Sequence, residues 1–286
     1  MFMFRGLFKN KISEPSKWSD SFSERFCDQG IEELTLNRNL RWQGCNDYSF
    51  LLQLRESLKT LTIIDFSKNV DIRVISELNL ESLILEVGIN AKWPTTFPNK
   101  IKSLKYAAEK SSPEVAGLDN LEELWIWGRV PWKRLPSFKS VKLKLISADC
   151  KYLDSLSFEH PSNIESIIVS NVTNLQIGKA SGFPSLRSLE IFDAKGEIDL
   201  APLKDARNLT KLSLDGNRLR IPTLSPLKET KSLEYLFLGE TMIEDNMCSV
   251  ITEIKSIKNL FFKDRKSYDI TLSEALHVLK AKRIGR

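Results

Sequence analysis

The chain has 286 residues and a formal net charge of +5, with 42% hydrophobic and 28% charged residues. This composition is that of a globular protein, and it excludes the disordered, fibrous and mini-protein classes. No stretch reaches the roughly 18 uninterrupted apolar residues that a transmembrane helix requires, so we expect no membrane among the partners.

The cysteines and the N-terminus bear on the cellular compartment. Four cysteines are far apart and form no CxxC pair: Cys27, Cys45, Cys150 and Cys248. The apolar N-terminus is interrupted by Arg5, and no small-residue cleavage site follows, so the sequence predicts no secretory signal. We therefore expect reduced thiols in a cytoplasmic protein.

The N-terminal residues 1–30 are rich in large apolar side chains. These are Phe2, Phe4, Leu7, Phe8, Trp18, Phe22 and Phe26. Such a segment has the apolar content to cover one end of the array that follows, and we predict an N-terminal cap.

A short pattern recurs from residue 31 onward: an apolar residue, two variable residues, an apolar residue, one variable residue and an apolar residue. About eleven copies occur at a spacing of roughly 22 residues. They begin at Ile31, Leu58, Leu80, Ile101, Leu121, Ser140, Ile164, Leu186, Leu209, Leu233 and Ile257. In a strand the fourth and sixth positions point to one side and the third, fifth and seventh to the other. Stacking the copies as parallel strands buries the first set in a continuous core.

The pattern resembles the leucine-rich repeat family, in the short-period type. The clearest copy is LTKLSLDGN at residues 209–217, which ends in the family's Asn at the ninth position, and Asn39 fills that place in the first copy. The resemblance implies an α/β fold: a right-handed solenoid with a parallel β-sheet on the concave face and short helical or 3₁₀ returns on the convex face. It also implies a single elongated domain with repeats over residues 31–266.

The segments between the strands predict different kinds of return. Residues 47–56 have apolar residues at helical spacing behind Asp47 and are expected to form an α-helix. Residues 200–205 and 224–229 are shorter and predict 3₁₀ turns. The proline-containing segments 94–98 and 131–136 are expected to be irregular.

The last segment, residues 267–286, is predicted to be a capping helix with a basic tail. Residues 271–282 are amphipathic, with Ser and Thr near the start and Lys in the last turns, as capping and the helix dipole favour. Nine basic and four acidic residues lie between positions 251 and 286, which accounts for the whole net charge of +5.

This basic end is also an alternative site for nucleic acid or an anionic surface. Its cations are Lys255, Lys258, Lys263, Arg265, Lys266, Lys280, Lys282 and Arg283. Phe261 and Tyr268 could stack with bases. We favour the solvated cap, because cations near a helix C-terminus are stabilising without any partner, and we do not expect nucleic acid as the partner.

Motifs of catalysis and cofactor binding are missing from the sequence. It contains no GxxxxGK[ST], GxGxxG, HExxH or GxSxG, and its two histidines, His160 and His277, are far apart. Cys150 with His160 is the one candidate nucleophilic pair, and its spacing is weak. We therefore expect no enzyme, no cofactor and no metal.

The fifth and seventh positions of the copies define the candidate binding face. Several of them are apolar or aromatic, whereas a face open to water should be polar. The candidate contact residues are Ile84, Glu86, Lys105, Trp125, Trp127, Lys144, Ile146, Ile168, Glu190, Phe192 and Phe237.

Trp125 and Trp127 lie on one strand of this face, which is expected to be flanked by Lys105 and Lys144. Aromatic anchors inside a charged rim are typical of a protein-interaction hot spot. Two alternatives need no partner: packing of large side chains across strands, and stacking of Trp with the adjacent Lys.

The sequence thus predicts a non-catalytic module that binds a protein through the concave face. An inhibitor or immunity-type protein acting on a toxin or enzyme is one role of this kind, and a signalling adaptor is another. The family resemblance, not the residues, carries this step, and it leaves the partner and the oligomeric state open.

Overall fold

The computed structural model describes residues 12–13, 17–109, 111–115, 117–128, 130, 132–134, 144–147, 150–157 and 163–284. The chain falls into two units, the first ending at Leu121 and the second beginning at Glu122. The sequence shows no linker at this point, and the predicted organisation as one domain stays a prediction. Phe2, Phe4, Leu7, Phe8 and His160 lie outside the described residues.

The first unit contains a parallel sheet in chain order. Its strands are β1 (Ile12–Ser13), β2 (Glu33–Asn37), β3 (Thr60–Asp65), β4 (Ser82–Val87) and β5 (Ser103–Ala108). The register aligns Leu34, Leu61, Leu83 and Leu104 at the fourth position, and all four are buried. The predicted alternation of buried and open positions is therefore confirmed in this unit.

Helix α1 (Asp20–Asp28) precedes this sheet. The side chain of its N-cap, Ser19, accepts a hydrogen bond from the backbone of the first turn at 3.3 Å. Phe26 is buried, and the Trp18 ring lies 4.2 Å from the Phe50 ring, measured between centroids. The helix thus packs its apolar side against the first return segment.

The first return is a 3₁₀ helix, Ser49–Leu54, and the prediction of an α-helix over residues 47–56 is wrong. Its hydrogen bonds span three residues, as from the Leu51 N–H to the Tyr48 carbonyl at 3.0 Å. Leu51 and Leu54 are buried while the residues between them are exposed. Because a 3₁₀ helix repeats every three residues, this spacing puts both leucines on the core side.

The other returns of the first unit are short. A second 3₁₀ helix spans Arg73–Glu77, and residues 94–98 contain no helix, as their prolines predicted.

The second unit has a longer parallel sheet of the same kind. Its strands are β6 (Glu123–Gly128), β7 (Lys144–Ser147), β9 (Ser166–Ser170), β11 (Ser188–Phe192), β13 (Lys211–Leu214), β15 (Tyr235–Phe237) and β17 (Asn259–Phe261). Short strands between them form two smaller parallel sheets: β8 (Ser155–Leu156) with β10 (Gln176–Ile177), and β12 (Lys195–Glu197), β14 (Arg218–Ile221) and β16 (Met242–Ile243). Each predicted copy of the repeat therefore contributes one strand to a main sheet.

The register corrects the sequence assignment of the sixth copy. Leu145, rather than Leu143, lies level with Leu124 and Ile167 at the fourth position. The copy is therefore shifted by two residues, which moves each residue along the strand without changing the face to which it belongs.

The returns of the second unit include the predicted 3₁₀ turns. They span Ala180–Gly182, Ala201–Leu203, Ser225–Glu229 and Cys248–Glu253. Residues 200–205 and 224–229 thus behave as predicted. Half of the proline-containing segment 131–136 lies outside the described residues, and residues 132–134 contain no helix.

Helix α2 (Leu272–Ile284) follows the last strand. Its first turn is a capping box: the Glu274 carboxylate accepts from the Thr271 N–H at 2.8 Å, and the Thr271 hydroxyl accepts from the Glu274 N–H at 3.3 Å. Hydrogen bonds from Thr271 hold the pKa of Glu274 below its usual range. Ala275 and Leu279 are buried, which gives the helix the inner side that its amphipathic sequence predicted.

The ninth positions do not form an asparagine ladder, because Asn39 and Asn217 are exposed. In the tenth copy the buried Thr241 occupies this place instead, and its hydroxyl donates to the Leu214 carbonyl at 3.1 Å. A hydroxyl thus makes the contact between neighbouring coils.

Leu124→Ala should lower the free energy of unfolding by about 2 to 5 kcal/mol, because Leu124 is fully buried at the fourth position of β6. Glu122→Ala, at an exposed residue two positions earlier, should change it by less than about 0.5 kcal/mol. Urea unfolding followed by circular dichroism measures both. Equal effects would show that β6 is not a core strand.

Candidate binding face

The structure divides the eleven predicted contact residues between the two units. Ile84 and Glu86 lie on β4 and Lys105 lies on β5, all in the first unit. The others lie in the second unit: Trp125 and Trp127 on β6, Lys144 and Ile146 on β7, Ile168 on β9, Glu190 and Phe192 on β11, and Phe237 on β15. For β7 the structure describes the backbone, and its side chains lie outside the described residues.

The face in the first unit is mixed in character. Ile84 lies between Thr62 and Lys105, and Glu86 lies beside Ile64. All five side chains are half-buried. The unit therefore presents single aliphatic residues among polar ones rather than an apolar cluster.

The face in the second unit begins with an apolar row. The register places Trp125, Ile146 and Ile168 side by side on three neighbouring strands, with Trp127 two residues further along β6. Trp125, Trp127 and Ile168 are half-buried. We name these four residues the Trp125 row.

Glu123 fixes the orientation of the first tryptophan. The indole Nε1 of Trp125 donates to the Glu123 carboxylate at 2.9 Å, so the polar edge of the ring is bonded within its own strand. The expectation that Lys144 lies beside Trp125 is wrong, because the register places Lys144 level with Glu123. The shift of two residues in the sixth copy explains the difference.

A polar group follows the Trp125 row on the same face. The Glu190 carboxylate pairs with the Lys211 ammonium at 2.8 Å and lies 3.2 Å from the Ser188 hydroxyl. The Lys211 ammonium also lies 5.4 Å from the centre of the Tyr235 ring, as in a cation–π contact. These charges are paired within the sheet and separate the Trp125 row from the aromatic residues beyond.

Phe237 stacks on Phe261 of the next strand. Their ring centroids are 5.0 Å apart, and the rings are tilted by 14°. This is the packing across strands that the alternative interpretation predicts, so Phe237 has a role without a partner. Phe192 lies level with Ser170 and is half-buried.

Several cations of the basic end bond within the fold. The contacts are Lys258 with the Glu234 carboxylate at 2.8 Å, Lys263 with the Glu240 carboxylate at 2.6 Å, Arg265 with the Glu240 carbonyl at 2.9 Å, and Lys282 with the Thr252 carbonyl at 2.8 Å. Arg283 donates to the Ile257 carbonyl. These bonds are those of a cap whose cations close the end of the unit.

The aromatic residues of the basic end are also used internally. Phe261 stacks on Phe237, and the Tyr268 hydroxyl accepts from the Ile243 N–H at 3.0 Å. Both side chains thus have contacts within the fold, although Phe261 is still 46% exposed.

The four cysteines differ in exposure: Cys27 is exposed, Cys45 is half-buried, and Cys150 and Cys248 are buried. Cys150 is 1% exposed, and its candidate partner His160 lies outside the described residues. Burial raises the pKa of the Cys45 and Cys248 thiols to about 12, which keeps both protonated at neutral pH.

Within the described ranges no group of three or more His, Cys, Asp or Glu side chains could hold a metal ion. The helices in those ranges are too short or too polar to cross a membrane.

No protein-family model matches the sequence, and no curated protein matches it significantly. Among solved structures, an internalin from Listeria monocytogenes is 19% identical, with 87% of this chain and 78% of that chain aligned at a TM-score of 0.50. A leucine-rich repeat protein of Leptospira interrogans is 17% identical over 93% of this chain and 85% of that chain, with a TM-score of 0.41. A plant peptide hormone receptor, solved in complex with RGF2, is 16% identical over 89% of this chain and 42% of that chain, with a TM-score of 0.49. Together with the strand register, the internalin similarity shows that the chain has the α/β leucine-rich-repeat fold, as the sequence predicted.

The stacked pair predicts a measurable coupling between Phe237 and Phe261. In a double-mutant cycle of Phe237→Ala and Phe261→Ala, the free energies of unfolding should be non-additive by about 0.5 to 1.5 kcal/mol. Phe192→Ala combined with Phe261→Ala is the control, because three strand spacings of roughly 4.8 Å separate these residues and their effects should add. Additive effects in both cycles would mean that the stacking does not stabilise the sheet.

Proposed function

We propose that the protein is a non-catalytic binding module, and that the Trp125 row on the open face of the second unit contacts a protein partner. The observation that carries this proposal is the register: it pairs the backbone of Trp125 with that of Ile146, and Ile146 with Ile168, while the described side chains of Trp125, Trp127 and Ile168 are half-buried beside a buried core. Large aromatic residues near the centre of an interface supply most of its binding energy.

The fixed position of Trp125 supports this assignment. The hydrogen bond to Glu123 holds the indole ring in place before any partner arrives, so little rotational freedom is lost on binding. The ring carries both an apolar surface and a bonded polar edge, the combination that makes tryptophan frequent in interfaces.

The charged groups beside the row contribute specificity. Glu190 and Lys211 pair with each other. A partner that covers them must supply matching polar groups, because otherwise both charges lose their contact with water on binding, which costs free energy. The first unit's Ile84, Glu86 and Lys105 lie on the corresponding side of their own sheet, and we propose them as further contacts.

Two roles fit this activity: inhibition of a toxin or enzyme, as an immunity-type protein does, and scaffolding as a signalling adaptor. The four cysteines are free thiols, and Cys27 is exposed. Free exposed thiols persist in a reducing compartment, which supports a cytoplasmic location.

Trp125→Ala with Trp127→Ala should weaken binding to the partner by at least about 2 kcal/mol, or about thirtyfold in Kd. The reason is the loss of both aromatic anchors from a face that the core does not use. The tagged native protein and the double variant are used to purify partners from the native cytosol, and the Kd of each captured protein is then measured by titration. Phe237→Ala with Phe261→Ala is the matched control on the same sheet.

A partner held by the native protein and the control but lost by the tryptophan variant supports the proposal, and its identity distinguishes inhibitor from adaptor. Equal affinity of the tryptophan variant and the native protein for the captured partner contradicts it. Capture of nucleic acid alone, with an affinity that falls steeply as salt rises, would instead point to the basic end.

A further inference from the structure

Three consecutive loops of the first unit each present a large apolar side chain to solvent. Leu40 follows β2, Phe66 follows β3 and Ile89 follows β4; they are 61%, 57% and 71% exposed. The three strands pair in register, so the loops leave the same edge of the sheet at spacings of about 5 Å. Single exposed apolar residues are ordinary, whereas these three follow adjacent strands at one edge of the sheet. We name these three residues the Leu40 edge.

A buried carboxylate holds these loops in place. Asp65, with 0% exposure, accepts from the Tyr48 hydroxyl at 2.8 Å and from the Ser67 N–H at 2.9 Å. Arg38 reaches from the preceding loop to within 3.4 Å of the same carboxylate. Gly88, in the next loop, packs so closely that a Cβ there would lie 2.5 Å from the Ser67 carbonyl oxygen. The apolar residues therefore project from loops that are tied to one another.

The same loops are basic. Residues 38–42, 66–70 and 88–92 contain four cations and no acidic residue; the cations are Arg38, Arg41, Lys68 and Lys92. Arg38 and Lys92 contact Asp65 and Asp71, whose side chains are only 0% and 18% exposed. Asp47, at the end of the first loop, is exposed and offsets one of these cations. The net charge that the loops present outward is therefore positive.

We propose that the Leu40 edge binds an anionic lipid bilayer, with the three apolar side chains in the interface and the four cations against the headgroups. Apolar residues flanked by Lys and Arg are the composition that favours interfacial binding to anionic lipid. The side chains project rather than line a groove, and a fluid bilayer accommodates projecting side chains without a complementary pocket. Attachment of this kind requires no membrane-spanning helix, but it departs from the expectation drawn from the sequence that a membrane is not among the partners.

Sedimentation with lipid vesicles tests the proposal on the full chain. The native protein should pellet with vesicles of phosphatidylcholine and phosphatidylserine and remain in solution with phosphatidylcholine alone. Leu40→Ser with Phe66→Ser and Ile89→Ser should weaken binding to the anionic vesicles at least about tenfold, because the inserted apolar surface is removed. The matched control is Leu52→Ser with Met247→Ser and Leu276→Ser, at residues 40%, 48% and 41% exposed elsewhere, and it should bind as the native protein does.

A second variant tests the charge without touching the apolar residues. Arg41→Glu with Lys68→Glu should weaken binding to anionic vesicles at least about tenfold, and added salt should weaken the binding of the native protein in the same direction. Circular dichroism of each variant shows that the fold is kept.

Three results would overturn the proposal. They are failure of the native protein to pellet with anionic vesicles, equal weakening in the Leu40 and Leu52 triple variants, and unchanged binding in the charge variant. If vesicles are not bound but the Leu40 triple variant loses the captured partner protein, the edge is a protein interface and the lipid proposal is wrong.

Discussion

The alternation of side chains along a β-strand is the constraint on which the rest of this structure depends. A strand with leucine or isoleucine at its fourth and sixth positions has one apolar side, and it buries that side only when other strands align with it. In-register stacking does so, as the aligned Leu34, Leu61, Leu83 and Leu104 show in the first unit. The same alternation forces the third, fifth and seventh positions outward, so the core and the open face are fixed together.

This coupling explains why so much of the fold could be predicted. Once two apolar positions are assigned to the core, the face of every neighbouring residue follows. The register, which decides the residue of the neighbouring strand that each residue faces, does not follow from the pattern, as the sixth copy demonstrates. Its sequence Lys142-Leu143-Lys144-Leu145 repeats every two residues, so a shift of two leaves the pattern unchanged. Only the backbone pairing of Leu145 with Leu124 and Ile167 decides between the two positions.

The returns were less predictable, because tertiary packing outweighs helical spacing in short segments. Residues 47–56 carry a spacing that both helix types satisfy in part, and the burial of Leu51 and Leu54 selects the 3₁₀ form.

The candidate face shows a similar division between what a pattern specifies and what packing decides. The alternation predicts which residues point away from the core, and among the described side chains Trp125, Ile168 and Phe237 are half-buried while their neighbours Leu124, Ile167 and Leu236 are buried. The sequence gives no indication that Phe237 stacks on Phe261 or that Lys211 pairs with Glu190, since such contacts depend on which strand lies next and in which register.

The Leu40 edge could not be predicted for a related reason. The sequence pattern does not show that Asp65, at the eighth position, makes the buried contacts of this loop, nor that Phe66, at the ninth, lies on the surface.

The distribution of charge obeys the same logic and shows why net charge is a poor guide to partners here. The excess of +5 is accounted for by the C-terminal segment, yet Lys258, Lys263 and Lys282 bond to carboxylates and carbonyls of the fold. That charge offsets the partial negative charge of exposed carbonyls and a helix C-terminus. The remainder of the chain is neutral as a sum, but residues 38–42, 66–70 and 88–92, which follow β2, β3 and β4, hold four cations and no acid. Charges interact with a surface over about one Debye length, roughly 10 Å, so cations on three adjacent loops act together on a ligand. Arg38 and Lys92 are offset in part by Asp65 and Asp71, and Arg41 and Lys68 therefore carry most of this local excess.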